Sequence, residues 1–213
     1  MNSIDKQRII SRYNRRLDQF GDTIETMASG TEARRAIRYH IMTEIGMQSN
    51  DDVLDLGSGF GDYAGFLKQS DINVNYCGYD INPTLVEIAT KRYPSHKFEV
   101  KDILNDNYPV FDYIVSTSSF NLPLLHQDNY EFVESLLLNC YNHSKKGVSI
   151  DFLSSYVDFQ SEEGFHYEPE KIFKIAKSIT KCVKLVHDYP LFEFAIYLYK
   201  DFDGWSENKS LHV

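Results

Sequence analysis

The segment Asp55-Leu56-Gly57-Ser58-Gly59-Phe60-Gly61-Asp62 limits what this chain can fold into more than any other. The short apolar run Val53 to Leu56 precedes it, and the helix-forming stretch Tyr63 to Leu67 follows. The spacing predicts a strand, a tight turn and a helix in succession. Glycines at alternating positions let the backbone turn sharply and approach a ligand where a side chain would collide. They also bring the start of the next helix close to that ligand.

The same alternation continues along the chain. Further strands are predicted at Tyr76 to Tyr79, ending in Asp80, at Phe98 to Val100, at Phe111 to Val115 and at Val148 to Leu153. The last two, Val183 to Val186 and Phe192 to Tyr199, meet through Asp188-Tyr189-Pro190-Leu191, a tight joint that makes an antiparallel pair. Asn82-Pro83 supplies a cap and a first-turn proline for one helix. Asp128 with Glu131 has the form of a capping box for a second, and Pro169 to Ile179 is a third. Toward the amino terminus a short helix and a loop are expected, then a helix over Glu32 to Ile45 with Ala33, Ala36, Ile37, His40, Ile41 and Ile45 inward. The fold class is α/β: a doubly wound, mostly parallel seven-stranded sheet ending in an antiparallel hairpin. One domain spans 1–200, with a helical cap over 1–50 and a sheet core over 53–200; residues 201–213 read as a polar tail that Trp205 could pin.

Charge narrows the partners. Acidic residues outnumber Lys plus Arg 31 to 22, a net charge of -9 that repels phosphate backbones and anionic lipid, so nucleic acid is disfavoured. The basic amino-terminal residues read mostly as solvated helix faces. Cys77, Cys140 and Cys182 lie far apart in apolar stretches and read as reduced, packed thiols. With neither a charged-then-apolar leader nor a long apolar span, the expectation is a cytoplasmic protein without membrane insertion.

The turn also discriminates between cofactors. A dinucleotide site needs G-x-G-x-x-G, and counting from Gly57 the third glycine would fall at Asp62, an anion where a pyrophosphate would sit. This weighs against a nicotinamide-dependent oxidoreductase, and no Lys-Ser/Thr pair closes a phosphate loop. A sulfonium cofactor carries no phosphate, and its amino and ribose hydroxyl groups suit carboxylates.

Val53 to Gly61 resembles the first motif of class I S-adenosylmethionine-dependent methyltransferases, of the small-molecule type. Tyr79-Asp80-Ile81-Asn82 resembles the acidic end of the family's second strand, Lys101-Asp102-Ile103 its adenine-contacting loop, and Phe111 to Ser116 its fourth-strand motif. The resemblance implies a Rossmann-like sheet with S-adenosylmethionine as cofactor. Asp55 and the turn Gly57, Ser58, Gly59 and Gly61 would hold the methionyl end. Asp80 would accept from both ribose hydroxyls, Ile81 would face the adenine, Asp102 would take the adenine amino group, Ile103 would pack beside the ring, and Ser116 would lie beneath the methionine moiety.

It also implies direct displacement of the methyl group onto an N or O atom of a small-molecule acceptor, with no metal required. The family's substrate-side additions correspond here to Tyr13 to Thr26, Ser118 to Asn129 and Ser154 to Tyr167. They offer Tyr13, Arg16, Phe120, Asn121, Phe159 and Tyr167 as pocket walls. His166, Tyr156 and His187 are the candidate catalytic side chains, His166 because an unperturbed imidazole titrates near neutrality. Two other readings stay open: a catalytically inactive cofactor-binding or assembly protein of the same fold, which the aromatic additions could serve by self-association, and an NAD-dependent oxidoreductase.

Overall fold

The computed structural model describes residues 1–201; Trp205 and the rest of the expected tail lie outside the described residues. The chain opens with α1 (Ser3–Phe20), α2 (Ile24–Met27) and α3 (Glu32–Thr43), and then alternates: β1 (Asp52–Leu56), α4 (Asp62–Gln69), β2 (Asn75–Asp80), α5 (Pro83–Arg92), β3 (Lys97–Val100) and β4 (Phe111–Ser116). It closes with α6 (Asn129–Asn142), β5 (Ser144–Leu153), α7 (Pro169–Ile179), β6 (Val183–Val186) and β7 (Glu193–Tyr199). The seven strands form one sheet in the order β3-β2-β1-β4-β5-β7-β6. Pairings from β3 through β5 are parallel, and β7 runs antiparallel to both β5 and β6.

Local chemistry explains the boundaries. Asn82 Oδ1 accepts the Thr84 N–H at 3.0 Å and Pro83 opens α5, so that helix starts where cap and proline coincide. Asp128 caps α6 by accepting from the N–H groups of Tyr130 (2.8 Å) and Glu131 (3.0 Å). Two apolar cores cover the sheet. One gathers α6 and α7 around Phe132, Leu136 and Ile172, and the other gathers α3, α4 and α5 around Met42, Tyr63 and Ala89.

Three expectations change. The first helix is 18 residues long, not short, because Asn2 caps it and polar side chains along it fasten to loops of the sheet. β5 begins at Ser144 rather than Val148; Lys145 and Lys146 extend it by pairing with Asp112 (3.4 Å) and Asp51 (2.5 Å). On α3 the buried face is Arg38, Ile41 and Met42, while Ala33, Ala36 and His40 face solvent. Ile41 and Ile45 are buried as expected and Ile37 packs partly buried beside them, but the helix also buries Arg38 against the Glu193 carboxylate of β7, which turns Ala33, Ala36 and His40 outward.

Candidate active site

β1 sits between β2 and β4, so the chain's winding reverses there, and in open α/β sheets such a reversal leaves a crevice at the carboxyl ends of the strands. A cleft with a cavity volume of about 120 Å³ occupies this place. Its floor is the glycine turn. Gly57, Gly59 and Gly61 have φ of 77°, 53° and 77°, the left-handed region that side chains other than hydrogen disfavour. Space forbids a side chain as well: a Cβ on Gly57 would lie 2.2 Å from Ser119 Oγ, and one on Gly61 would lie 2.7 Å from Phe98 Cζ.

The turn is fastened to the end of β2. The N–H groups of Gly57 and Ser58 donate to the Tyr79 carbonyl at 2.7 and 3.0 Å. The Gly59 N–H donates to Asp80 Oδ2 at 3.0 Å, while Asp80 Oδ1 accepts the Asn82 N–H at 2.8 Å. Ser116 supports the turn from below, its hydroxyl donating to the Leu56 carbonyl at 2.5 Å.

Asp55, Asp62 and Asp80 line the cleft, as do Arg35, Arg38 and Lys101. Asp62 is balanced by Arg35 (2.5 Å) and Arg92 (2.8 Å). Asp55 accepts only a neutral partner, the Tyr76 hydroxyl at 2.6 Å. Burial pushes the Asp55 carboxyl up to about 7; the Tyr76 bond opposes this, and Asp80 and Asp62 add to it. Burial likewise raises Asp80, against the backbone N–H groups that hold its charged form. Two desolvated carboxyls without a cation beside them make a place for a positively charged ligand group.

Asp55 therefore links stability to pH. Its folded value of about 7 lies above the ordinary 3.8, so between those values the folded protein keeps a proton that the unfolded chain has released. Stability falls as pH rises through this window and levels off above it. Asp55→Asn keeps an acceptor for Tyr76 and removes the titration. The ligand-free variant should be more stable than the parent at pH 8, by an amount on the order of a few kcal/mol, and the difference should shrink toward pH 4. Paired thermal melts across pH check this, and a constant difference would contradict it.

α1 roofs the cleft. Ile9 and Tyr13 line it from above, and Asn14 Oδ1 accepts from Asn82 Nδ2 at 2.8 Å. The Asp5 carboxylate accepts the N–H groups of Leu125 (2.9 Å) and His126 (3.0 Å), and Arg8 donates to the Pro123 carbonyl, tying the helix to the connection after β4.

The structure brings Asp55, Gly57, Ser58, Asp80, Ile81, Tyr13 and Phe120 together around the cleft. Asp102 lies buried at its edge, where it accepts from Asn105 Nδ2 (2.9 Å) and Lys6 Nζ (3.4 Å), and the Met1 amino group is 3.7 Å from its other oxygen. Ile103 and Ser116 are buried around the site without lining it.

Other predicted residues stand elsewhere. Arg16 donates to the Thr26 carbonyl at 2.9 Å and to that of Glu25, joining α1 to α2. Asn121 accepts the Leu153 N–H at 2.9 Å, and the fully buried Tyr167 donates to the Phe120 carbonyl at 2.8 Å; both hold loops together. Phe159 is 77% exposed.

None of the three catalytic candidates lines the cleft. His166 spends both ring nitrogens on backbone: Nδ1 is 2.7 Å from the Ser154 carbonyl, and Nε2 accepts the Ser161 N–H at 3.1 Å. That pairing makes the ring a brace for the connection between β5 and α7. Tyr156 is exposed and donates to Glu170, and His187 packs near Tyr156 and Phe194, at ring separations of 6.0 and 5.8 Å. In their place the cleft presents Met27 and Ser29, which the sequence reading gave no role, together with Arg38 from the basic amino-terminal residues and Ser118 and Ser119 from the connection after β4.

Comparison with known proteins agrees with this geometry. A family model described as a methyltransferase domain matches residues 53–147, the span from β1 into β5. The Mycobacterium tuberculosis (strain H37Rv) protein Rv1506c, whose own assignment as a methyltransferase is provisional, is 28% identical over 151 residues, covering 68% of this chain and 91% of that protein. Among solved structures, magnesium protoporphyrin IX methyltransferase from Synechocystis PCC 6803 with bound S-adenosylhomocysteine superposes with a TM-score of 0.66 at 11% identity, covering 92% of this chain and 100% of the other. An S-adenosylmethionine-dependent methyltransferase from Clostridium acetobutylicum gives 0.61 at 15% identity, over 89% and 98%. Residues 53–147 are thus similar to a methyltransferase domain, and the seven-stranded sheet has the Rossmann-like fold of class I S-adenosylmethionine-dependent methyltransferases.

Proposed function

We propose that this protein binds S-adenosylmethionine in the cleft and transfers its methyl group to a nitrogen or oxygen atom of a small-molecule acceptor. The observation that carries the reading is the pairing of a backbone cradle at Gly57–Gly61 with two buried, uncompensated carboxyls, Asp55 and Asp80, under a helical roof. The residues present fit the cofactor. Asp55 would meet its amino group, Asp80 its ribose hydroxyls and Ile81 its adenine face. Ser58, which lines the cleft, would offer its backbone to the methionyl end. Asp102 would receive the adenine amino group by loosening its contacts with Lys6 and Met1.

S-adenosylmethionine supplies an electrophilic methyl group on a positively charged sulfur when bound. The chain's part is to orient the acceptor, exclude water and take up any proton the acceptor must lose, a positioning role with a large share of the rate. Ile9, Tyr13, Met27 and Phe120 enclose the remaining space, which favours a compact acceptor over a macromolecular one. The magnesium protoporphyrin IX enzyme, similar in fold, acts on a small molecule and lends this reading support.

The test is transfer from methyl-labelled S-adenosylmethionine to a filtered small-molecule extract, followed by mass spectrometry. The expected result is a labelled compound of low mass that vanishes with heat-killed protein. Label in protein alone would contradict the small-molecule reading. Tight cofactor binding with no label anywhere would favour the inactive binding protein.

A further inference from the structure

The space beside each glycine of the turn is filled, and the fillers differ in origin. Ser119, from the connection after β4, fills the space at Gly57, and Phe98 of β3 fills the space at Gly61. The space at Gly59 is filled from the roof, by Met27 of α2: a Cβ there would lie 2.5 Å from Met27 Cε and 3.4 Å from its Sδ. Roof and floor therefore touch at the middle of the backbone cradle. With that contact in place the cleft keeps about 120 Å³, against the roughly 300–1,000 Å³ of sites that take a ligand the size of the cofactor. A second contact from the roof lies at the other end, where Lys6 Nζ of α1 stands 3.4 Å from Asp102 Oδ2.

α1 and α2 form one body. Arg16 Nε donates to the Thr26 carbonyl at 2.9 Å, and the fully buried Thr26 donates its hydroxyl to the Gly21 carbonyl. Against the rest of the chain the hold is polar and local. Of the 18 residues of α1 only Asp5 and Ile9 are buried, and Arg12 pairs at 2.8 Å with Glu163, itself 72% exposed. An element with so few buried apolar contacts opens at low free energy. The link to α3 is shaped for such a movement. Ala28 and Gly30 both have left-handed backbones, φ 52° and 78°, a conformation that an alanine adopts under strain. Between them the Ser29 carbonyl is pinned to α3 by Arg38 Nη1 at 2.6 Å. A turn at Ala28 releases that strain and leaves α3 in place.

We propose that α1 and α2 are a plug that stands in the cofactor's place in the ligand-free protein, Met27 on the cradle at Gly59 and Lys6 on Asp102. The two helices swing out together about Ala28 to admit S-adenosylmethionine and reseat above it. The inference rests on the cofactor reading proposed above. It makes Met27 a residue that governs entry: the thioether is flexible enough to withdraw, and it excludes water from the cradle until the ligand arrives.

Two measurements test this. Surface plasmon resonance on immobilised protein gives the association and dissociation rates of S-adenosylhomocysteine. Met27→Ala, which empties the space at Gly59, should raise the association rate at least about fivefold, because the closed state no longer limits the competent fraction. Lys6→Gln, which frees Asp102, should raise it by a smaller factor. Hydrogen exchange of the parent reads the movement without any variant. In the free protein the amides of α1 and α2 should exchange together, at least about 100-fold faster than those of β1 and β4, and S-adenosylhomocysteine should slow them at least about tenfold. An unchanged association rate with faster dissociation in Met27→Ala would make Met27 a wall of the bound site and overturn the plug, as would α1 and α2 amides as slow as those of β1 in the free parent. If the parent fails to bind S-adenosylhomocysteine, the cofactor reading fails and the plug with it. If the parent binds and Met27→Ala associates no faster, only the plug fails.

Discussion

Gly57→Ala is expected to abolish S-adenosylmethionine binding, with affinity falling at least about 100-fold, equivalent to some 3 kcal/mol. The added Cβ would meet Ser119 Oγ at 2.2 Å and Ser119 Cβ at 2.7 Å, and the second contact cannot be relieved by rotating a hydroxyl. Ser119 would have to leave, together with its bonds to the carbonyls of Leu56, Gly57 and Thr117. The left-handed backbone adds about 1–2 kcal/mol of strain in the folded state. Gly21→Ala separates the two effects: Gly21 has φ of 67° and nothing within 4 Å of its would-be Cβ. That variant should lose stability through backbone strain alone and keep its affinity. Calorimetry and thermal melts of the pair check both halves, and equal affinity in the two variants would contradict the cradle.

The largest effect on stability is expected from Arg38→Met. Arg38 and Glu193 are 6% and 2% exposed, and the guanidinium forks onto both carboxylate oxygens at 2.6 Å. Removing it leaves Glu193 and Asp151 as two desolvated carboxyls with no cation between them. Loss of one partner from a buried pair costs about 3–5 kcal/mol, chiefly because the other charge is stranded. Combining Arg38→Met with Glu193→Leu removes that charge as well and should recover a good part of the loss. Denaturant unfolding of the parent, the two single variants and the double variant measures this. A single-variant loss below about 1 kcal/mol would mean the pair is solvated in solution.

How much of this was legible in the sequence depends on how local the determinant is. The turn, the caps at Asn82 and Asp128 and the final hairpin are set by neighbouring residues, and each appears where its local chemistry puts it. Asp55 and Asp80 were legible for the same reason, since each ends a strand beside the turn. What the sequence hid depends on distance. Arg38 lies 155 positions from Glu193, and nothing in the helical pattern of 32–43 tells a solvated arginine from a buried one. A signal existed in the strands: Asp151 and Glu193 are single charges inside apolar runs, and a carboxylate in a buried strand requires a cation or a function. His166 misled in the opposite sense. Its residue type suited a base, yet backbone groups at Ser154 and Ser161 consume both nitrogens, and such contacts leave no trace in a one-dimensional pattern.

Whether the cleft over the glycine turn holds an S-adenosyl compound or a dinucleotide is read out by calorimetry of the parent protein. S-adenosylmethionine and S-adenosylhomocysteine should bind with one site per chain, and Asp80→Ala should lose at least tenfold in affinity for both. NAD should not compete. Clear NAD binding with no measurable affinity for either S-adenosyl compound would make the cleft a dinucleotide site.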